Sequence, residues 1–276
     1  MRLLKSTALL ITIFILSSCG GGSEFAPVVT GVKVQSIQYG RTATIYIGGK
    51  DLRSTLNVDT SGSCVNSSYA SNSTTDMLVF NCLVSKTGDM PFVIKTAEGE
   101  SIYSTSVNVP LPQVVLITSK GALTFELVDP AVAPSSVNNF LNYVNKGFYR
   151  DTLFHRVIPG FVVQGGGFTV GMVKKSGQTA PIELESNRGL SNLRGSLAMA
   201  RAPAPNSAQS EFYINLVDNL SLDYRNAANP GYAVFGRVIQ GLDIIDTIST
   251  VPTGIVNGFS NVPFEDIFIN LALQIK

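Results

Sequence analysis

The sequence predicts a mainly β protein, and three observations lead to this class. Glycine and proline are frequent, at 25 and 13 of 276 residues, and they separate short apolar stretches that alternate with polar residues. Hydrophobic residues make up 45% of the chain, which is enough for one large core or two modest ones. Charged residues make up 14%, below the roughly 25% of ordinary soluble domains, so a disordered chain is excluded.

The composition also argues against two kinds of site. The 20 basic residues nearly balance the 19 acidic ones, so a surface that binds nucleic acid is not expected. His155 is the single histidine and the cysteines are Cys19, Cys64 and Cys82, so they offer no zinc-finger spacing. The sequence therefore predicts no structural zinc site; the absence of any other metal or cofactor is expected from the family resemblance described below.

The first 18 residues have the pattern of a secretory signal. Arg2 and Lys5 precede an apolar run at 8–16, which is shorter than the about 20 residues that span a bilayer. The following Leu16-Ser17-Ser18-Cys19 resembles the lipobox of bacterial lipoproteins, which implies cleavage before Cys19 and a diacylglycerol on its thiol. An ordinary signal with an unrelated cysteine is the alternative.

Residues 19–26 are interpreted as the lipidated cysteine and a flexible tether rich in glycine and serine. Several acyl chains anchor a protein to a membrane far better than one. Glycine rather than aspartate at position 20, directly after the cysteine, resembles the outer-membrane sorting pattern of Gram-negative bacteria. The predicted location is thus the cell envelope, on the periplasmic face of the outer membrane.

Cys64 and Cys82 then remain as an even pair in an oxidising compartment, where a disulfide is the usual outcome. Closing a loop of this length stabilises a fold by about 3 kcal/mol in the chain-entropy model. Two buried free thiols are the alternative. The chain has no Cys-x-x-Cys motif, so redox catalysis is not expected.

Residues 27–110 are predicted to form a small β-sandwich that looks immunoglobulin-like. Five stretches favour strands, at 31–34, 42–47, 77–80, 92–95 and 102–109. The aspartates in this region are scattered and are interpreted as turn residues, namely Asp51, Asp59, Asp76 and Asp89. We expect a spacer, or a docking module for another envelope protein, rather than a catalytic domain.

Residues 111–276 are predicted to form a second domain, which follows a semi-rigid joint at Val109-Pro110-Leu111-Pro112. It begins with a hairpin that turns at Ser119-Lys120-Gly121. Apolar residues at 137, 140, 141 and 144 predict a helix with Ser135 or Ser136 as N-cap and Gly147 as its end.

A second short helix is predicted over 242–249, and a final strand has apolar residues at alternate positions from 267 to 275. Strands at both ends of the domain, many strands between them and only two helices favour a sheet closed on itself. Such a sheet leaves no exposed edge.

The segment FHRVIPGFVVQGGGF at 154–168 carries the most information about chemistry. Its glycine run does not fit a dinucleotide loop, because Val170 stands where the third glycine belongs. The chain has no G-x-S-x-G elbow, so His155 is not assigned to a hydrolase triad. In a strand, His155 and Arg156 would point to opposite faces, which places one in the core and the other at a site.

This segment, together with LAMAR at 197–201, EFYIN at 211–215 and GYAVFG at 231–236, resembles the cyclophilin family of peptidyl-prolyl isomerases. The resemblance is in order along the chain and covers about 113–276. It implies a closed eight-stranded antiparallel β-barrel with two capping helices and a substrate groove on the outer face. It also implies rotation about X-Pro bonds in proline-containing peptides, without a metal or nucleotide.

The resemblance also assigns roles to residues of this chain. Arg156 matches the family's permanent hydrogen-bond donor, Gln164 matches the residue that orients it, and Phe161 completes the predicted catalytic set. The apolar proline pocket is matched by Phe161, Val162, Tyr213 and Leu222, and the positions that hold the substrate main chain by Ala200 and Arg201. Glu211, Phe212 and Tyr232 complete the predicted substrate-binding residues.

Three positions depart from the family pattern. Glu211 replaces a glutamine, and its carboxylate could hold Arg156 in place or withdraw it from substrate. Tyr213 replaces a phenylalanine and brings a hydroxyl to the pocket floor. Ser221 replaces an aromatic wall, which weakens the grip on substrate and on cyclosporin-type macrocycles.

The leading hypothesis is an anchored isomerase that accelerates the folding of exported proteins. One rival is a catalytically weak peptide-binding or chaperone module on the same scaffold, with activity lost through Glu211 and Ser221. Another is a structural surface lipoprotein that recognises an envelope protein through residues 27–110, a role compatible with either of the others.

Overall fold

The structure is a computed structural model that describes residues 26–276, so the predicted signal peptide and Cys19 lie outside the described residues. The strands are β1 Val28–Ser36, β2 Thr42–Lys50, β3 Asn57–Asp59, β4 Cys64–Tyr69, β5 Met77–Val84, β6 Gly88–Lys95, β7 Ser101–Val109, β8 Gln113–Thr118, β9 Gly121–Leu127, β10 Thr152–Leu153, β11 Arg156–Ile158, β12 Val162–Gly165, β13 Phe168–Thr169, β14 Val173–Lys174, β15 Ser196–Met199, β16 Phe212–Asn215, β17 Val234–Gln240, β18 Thr253–Val256, β19 Phe259–Pro263 and β20 Phe268–Gln274. The helices are α1 Pro134–Asn145 and α2 Leu242–Ser249, with short 3₁₀ turns at Val170–Met172 and Leu220–Leu222. Neither α-helix of this part of the chain has the length and apolar character needed to cross a membrane.

Strands β1 to β7 form two sheets around one core. One sheet has the order β1-β2-β5-β4 and the other β3-β6-β7. Ile45, Phe80 and Phe92 are among the buried residues of the core that they share. The sequence correctly predicts β structure here, while an immunoglobulin-like topology stays a prediction.

A disulfide joins Cys64 on β4 to Cys82 on the neighbouring strand β5. Their Cα atoms are 5.4 Å apart, within the range that a disulfide spans. Both side chains belong to the core of this domain. The bond therefore links two strands of one sheet from the inside.

The second domain is an antiparallel barrel, as the sequence predicts. Its sheet has the strand order β10-β20-β8-β9-β17-β15-β16-β12-β11. The two end strands, β10 and β11, are consecutive parts of one segment, so this segment pairs with β20 at one end and with β12 at the other. The nine assigned strands thus close a barrel of eight, since β10 and β11 count as one.

Helix α1 begins differently from the prediction. Its N-cap residue is Ala133, which makes no side-chain cap, and neither Ser135 nor Ser136 serves as the cap. Instead the carboxylate of Glu185 accepts hydrogen bonds from the backbone N–H groups of Ser135 and Ser136, at 2.9 and 2.8 Å. A carboxylate from a distant loop thus satisfies the free donors at the helix start. Gly147 follows the helix at φ 67°, so the predicted end is confirmed.

The final strand corrects a second prediction. Ile267 and Ile269 are buried as predicted, but β20 has a register shift between Ile269 and Leu271. The shift reverses the faces of the residues that follow, which is the usual consequence of a bulge. Leu271, Leu273 and Ile275 are therefore exposed, and Ala272 and Gln274 are buried in their place.

The two domains contact each other through Tyr39, which precedes β2. Its side chain packs against the core of the barrel domain. Its hydroxyl donates a hydrogen bond to Asn138 Oδ1 of α1 at 2.9 Å, and its carbonyl accepts one from Gln274 Nε2 at 2.9 Å. Arg41 also donates to Asn145 Oδ1 of α1, at 2.6 Å. The sandwich is thus attached to α1 and to the end of β20.

Candidate active site

One row of side chains crosses the outer face of the barrel. Directly opposed residues of an antiparallel sheet point to the same face. The register pairs Arg156 with Gln164, Gln164 with Tyr213, Tyr213 with Ala198, and Ala198 with Val234. The row therefore spans five strands and brings together residues that are up to 78 positions apart in the sequence.

The polar end of this row is held by one hydrogen bond. Arg156 Nη1 donates to Gln164 Oε1 at 3.1 Å. Arg156 is half-buried, so its guanidinium is held in place and still reaches the surface. The neighbouring His155 precedes β11 and is 5% exposed, so it lies in the interior while Arg156 reaches the surface.

The apolar end of the row forms a surface that we call the apolar notch. Its floor consists of the buried side chains Val162, Ala198, Tyr213 and Val234. Its rim consists of the half-buried side chains Phe161, Leu190, Ala200, Leu222 and Tyr232. The four residues predicted for the proline pocket all belong to this notch.

The hydroxyl of Tyr213 is directed away from the notch. It donates a hydrogen bond to Asn192 Oδ1 at 2.8 Å, and Asn192 is fully buried. The pKa of Tyr213 is raised far above its usual value, chiefly because burial disfavours the phenolate. The floor of the notch therefore receives the ring of Tyr213 but not its polar group.

Arg201 and Tyr232 form the wall beside Leu222. The Arg201 guanidinium lies over the Tyr232 ring at 4.6 Å from the centroid. Its N–H groups donate to the carbonyls of Gly231 at 3.0 Å, Ala202 at 3.0 Å and Pro203 at 3.1 Å. These donors hold the Arg201 side chain in the wall, and a contact between residue 201 and the substrate main chain stays a prediction.

Glu211 does not pair directly with Arg156, and whether it holds that residue or withdraws it from substrate stays a prediction. Its Oε2 atom accepts a hydrogen bond from Gln164 Nε2 at 2.8 Å and lies 3.3 Å from His155 Nε2. Burial alone would raise the pKa of Glu211, but the hydrogen bond and charge interaction with His155, the Gln164 donor and the Lys174 charge together hold it below its usual value. The carboxylate reaches Arg156 only through Gln164.

Two small cavities flank the row. One, of about 270 Å³, is lined by Gln164, Lys174, Arg201, Gln209 and Glu211, among others. The other, of about 290 Å³, is lined by Arg201, Ser221, Asp223 and Tyr232, among others. The second cavity lies where Ser221 stands in place of the predicted aromatic wall.

One predicted site residue is placed wrongly. Phe212 is fully buried in the barrel core, where its ring packs against Phe125, Phe140 and Tyr149. It alternates with Tyr213 along β16, so its side chain points inward when that of Tyr213 points to the notch. A substrate contact through the Phe212 side chain is therefore excluded.

Sequence reasoning also missed two residues at the site. Asn192 holds the Tyr213 hydroxyl, and Lys174 lines the cavity beside Gln164. Neither belongs to a motif, and each comes from a loop or short hairpin that the spacing of apolar residues does not reveal.

The glycine run has a packing role. A Cβ atom on Gly167 would lie 2.4 Å from Glu211 Cγ, so only glycine allows the Glu211 side chain to lie against this backbone.

Residues 26–276 contain no group of three or more His, Cys, Asp or Glu side chains that could hold a metal ion.

Most of the barrel domain matches a known protein family. The model of a family described as "Cyclophilin type peptidyl-prolyl cis-trans isomerase/CLD" matches residues 113–271. Peptidyl-prolyl cis-trans isomerase A of Dickeya dadantii is 48% identical over 163 residues, which cover 59% of this chain and 84% of that protein. Peptidyl-prolyl cis-trans isomerase B of Escherichia coli is 46% identical over 154 residues, which cover 55% of this chain and 93% of that protein.

A solved structure of a Cryptosporidium parvum cyclophilin type peptidyl-prolyl cis-trans isomerase is 28% identical to this chain. It covers 60% of this chain and 98% of its own, with a TM-score of 0.49.

Proposed function

This chain belongs to the cyclophilin-type peptidyl-prolyl cis-trans isomerases, and from that premise we propose that it acts on exported proteins while anchored to the cell envelope. The isomerase activity belongs to the barrel domain, which contains the whole match to the family. The substrate location and the anchor are the parts that we add.

The reaction is a rotation without bond cleavage. The cis and trans forms of an X-Pro bond differ by about 0.5–1 kcal/mol, and a barrier of about 20 kcal/mol separates them because amide resonance is lost at the twist. A catalyst must therefore hold the prolyl ring and bind the twisted state more tightly than either planar state. Each ~1.4 kcal/mol of such selective binding accelerates rotation about tenfold.

Arg156 supplies the selective interaction. When the bond twists, charge shifts between the carbonyl oxygen and the amide nitrogen, and a fixed donor stabilises that change. A guanidinium remains protonated at all ordinary pH values and offers several N–H groups, so no proton needs to move. The bond to Gln164 Oε1 at 3.1 Å holds this donor at the outer face.

The apolar notch holds the prolyl ring. Phe161 and Leu222 lie at its rim and Val162 and Tyr213 form part of its floor. Burying apolar ring surface there contributes roughly 25 cal/mol per Å². The observation that carries the proposed mechanism is that this notch and the Arg156 guanidinium share one row on the outer face of the barrel.

Exchange spectroscopy on a short Ala-Pro peptide tests the activity. We expect the cis and trans signals to exchange faster in proportion to added protein. An unchanged exchange rate at protein concentrations where the peptide measurably binds would favour the alternative, a weak peptide-binding or chaperone module. The relatives at 46–48% identity are named as isomerases, so we do not favour that alternative.

The envelope location is argued from the N-terminal sequence. Leu16-Ser17-Ser18-Cys19 supplies the lipobox pattern, and the glycine and serine residues after it supply a tether. A disulfide between Cys64 and Cys82 is consistent with an oxidising compartment. The substrates are then unfolded exported proteins that contain X-Pro bonds.

Labelling with a radioactive fatty acid in a Gram-negative host tests this location. The wild-type protein should be labelled and sediment with outer membranes. Cys19→Ser should be unlabelled and should no longer sediment with them, whereas Cys64→Ser/Cys82→Ser should be labelled like the wild type. An unlabelled wild-type protein would rule out the anchor and leave the isomerase activity untouched.

For the sandwich domain we propose a spacer or a docking module for another envelope protein. The hydrogen bonds from Tyr39 and Arg41 to α1 support this, because they attach the sandwich to the barrel at a helix outside the candidate active site. A pull-down from cell-envelope extract should recover a partner if the sandwich is a docking module and none if it is a spacer. Substitution of exposed sandwich residues such as Met77 should then abolish the recovery while the isomerase activity is retained.

A further inference from the structure

The orientation of the Gln164 side chain is decided by what Glu211 can accept. A glutamine side chain has an oxygen that accepts and a nitrogen that donates, and the two ends are similar in shape. An ionised carboxylate only accepts. Since Glu211 Oε2 lies 2.8 Å from Gln164, the nitrogen of Gln164 must face Glu211 and its oxygen must face Arg156.

We propose that Glu211 is a positioning residue, which fixes the Gln164 amide so that its oxygen always faces the Arg156 guanidinium. With a glutamine at 211, either orientation of Gln164 could be satisfied, because that side chain both donates and accepts. In the opposite orientation, Gln164 would present N–H groups to Arg156, which has only donors. The carboxylate removes that unproductive state.

Two contacts hold Glu211 itself in place. His155 Nε2 lies 3.3 Å from Glu211 Oε2, the oxygen that also accepts from Gln164. His155 Nδ1 is buried without a hydrogen-bond partner in the part of the chain that the structure describes, so the ring makes its hydrogen bond through Nε2. On the other side, the backbone of Gly167 lies against the Glu211 side chain.

The charges around Glu211 favour its ionised form. His155 and Lys174 interact with it directly, and Arg201 lines the same cavity as its carboxylate. Arg156 lies on the far side of Gln164. The pKa of Glu211 is held below the usual value of 4.5, so Glu211 is ionised throughout the neutral range. Protonation at acid pH would give Glu211 a donor as well as an acceptor, so that either orientation of the Gln164 amide could be satisfied.

The first test compares wild type with Glu211→Gln, a change of nearly equal shape. We expect kcat to fall by about threefold to tenfold at pH 7 with KM nearly unchanged, since one charged hydrogen-bond partner is replaced by a neutral one. We also expect wild-type kcat to fall with pH below 4.5, over a range where circular dichroism shows a folded protein, and this acid limb to be absent in Glu211→Gln. Glu126→Gln is the matched control, because its carboxylate also has a lowered pKa but bonds Arg237 elsewhere on the barrel.

A double variant separates this role from a direct effect of the Glu211 charge. In a Gln164→Ala background, Glu211→Gln should change kcat by less than about twofold, because the interaction passes through Gln164. An undiminished effect in that background would overturn the proposal, as would an acid limb that persists in Glu211→Gln.

A measurement without substrate keeps this inference separable from the isomerase activity on which it rests. The side-chain NH₂ signal of Gln164, identified by its loss in Gln164→Ala, should titrate at acid pH in wild type and not in Glu211→Gln. If it titrates while the protein lacks activity, the positioning holds and the function fails. If it does not titrate in wild type, the positioning fails whatever the activity.

Discussion

Arg156 Nη1 donates to Gln164 Oε1 at 3.1 Å, and these two residues are directly opposed on neighbouring strands of the barrel. Their side chains therefore emerge from the same face at a distance set by the sheet itself. Positioning by a sheet register is more rigid than positioning by a loop. This pair gives the site a fixed positive charge beside the apolar notch.

The pH dependence of catalysis follows from this donor. A guanidinium donates hydrogen bonds without giving up a proton, and Glu211, with its lowered pKa, remains ionised above pH 4.5. We expect kcat/KM on an Ala-Pro peptide to vary by less than about twofold between pH 6 and pH 9. A steep, bell-shaped dependence of kcat/KM on pH in that range would indicate instead that a titrating group takes part in the reaction.

The hydroxyl of Tyr213 should matter for stability rather than for turnover. It bonds the buried Asn192 at 2.8 Å, away from the notch. Tyr213→Phe should lower the free energy of unfolding by about 1 kcal/mol, measured by urea denaturation, and leave kcat/KM within about twofold. Tyr103→Phe is the control, because Tyr103 lies on β7 of the sandwich, outside the barrel, and this change should leave kcat/KM unchanged. A large loss of activity in Tyr213→Phe would mean that the hydroxyl contacts substrate.

An aromatic residue at 221 should strengthen substrate binding. Ser221 lines the cavity of about 290 Å³ beside Tyr232, and a tryptophan there would supply the missing wall. Because aromatic contacts contribute about 0.5–1.5 kcal/mol, Ser221→Trp should raise kcat/KM about threefold to tenfold, mainly through KM. Leu273→Trp, at an exposed position on β20, controls for non-specific peptide binding by an added tryptophan. Equal gains in the two variants would contradict the assignment.

The disulfide should stabilise the sandwich without affecting catalysis. Cys64 and Cys82 are 18 positions apart, and closing such a loop contributes about 3 kcal/mol in the chain-entropy model. The variant Cys64→Ser/Cys82→Ser should lower the urea midpoint of the sandwich and leave the exchange rate of an Ala-Pro peptide unchanged. If the wild type and the double variant have the same urea midpoint, the bond does not stabilise the sandwich.

The parts of the fold that depend on local pattern could be predicted from the sequence. Helix α2 occupies 242–249 as its apolar spacing predicts, and the hairpin of β8 and β9 turns where Ser119-Lys120-Gly121 predicts. The closed barrel was also predicted, with two helices. In the helix and the hairpin, neighbouring residues determine the structure. The barrel closes through strand pairs that are far apart in sequence, and it was expected from the positions of the strands and from the family resemblance.

The missed features depend on contacts between distant residues or on a single irregularity. Glu185 caps α1 from about 50 positions away, so no local motif could show it. The register shift after Ile269 reverses the face of β20 although the sequence alternates regularly. Likewise, the order from His155 to Glu211 to Gln164 to Arg156 depends on which donors and acceptors meet once the strands pair.

The most direct test of the account is the activity of Arg156→Ala on a short Ala-Pro peptide, measured by exchange spectroscopy beside Arg237→Ala as a surface control. Loss of a preorganised donor typically lowers the rate by about 100-fold or more, so Arg156→Ala should lose nearly all of the acceleration while its circular dichroism spectrum matches wild type. Arg237→Ala should retain it. Full activity in a correctly folded Arg156→Ala would contradict the claim that this guanidinium drives the rotation.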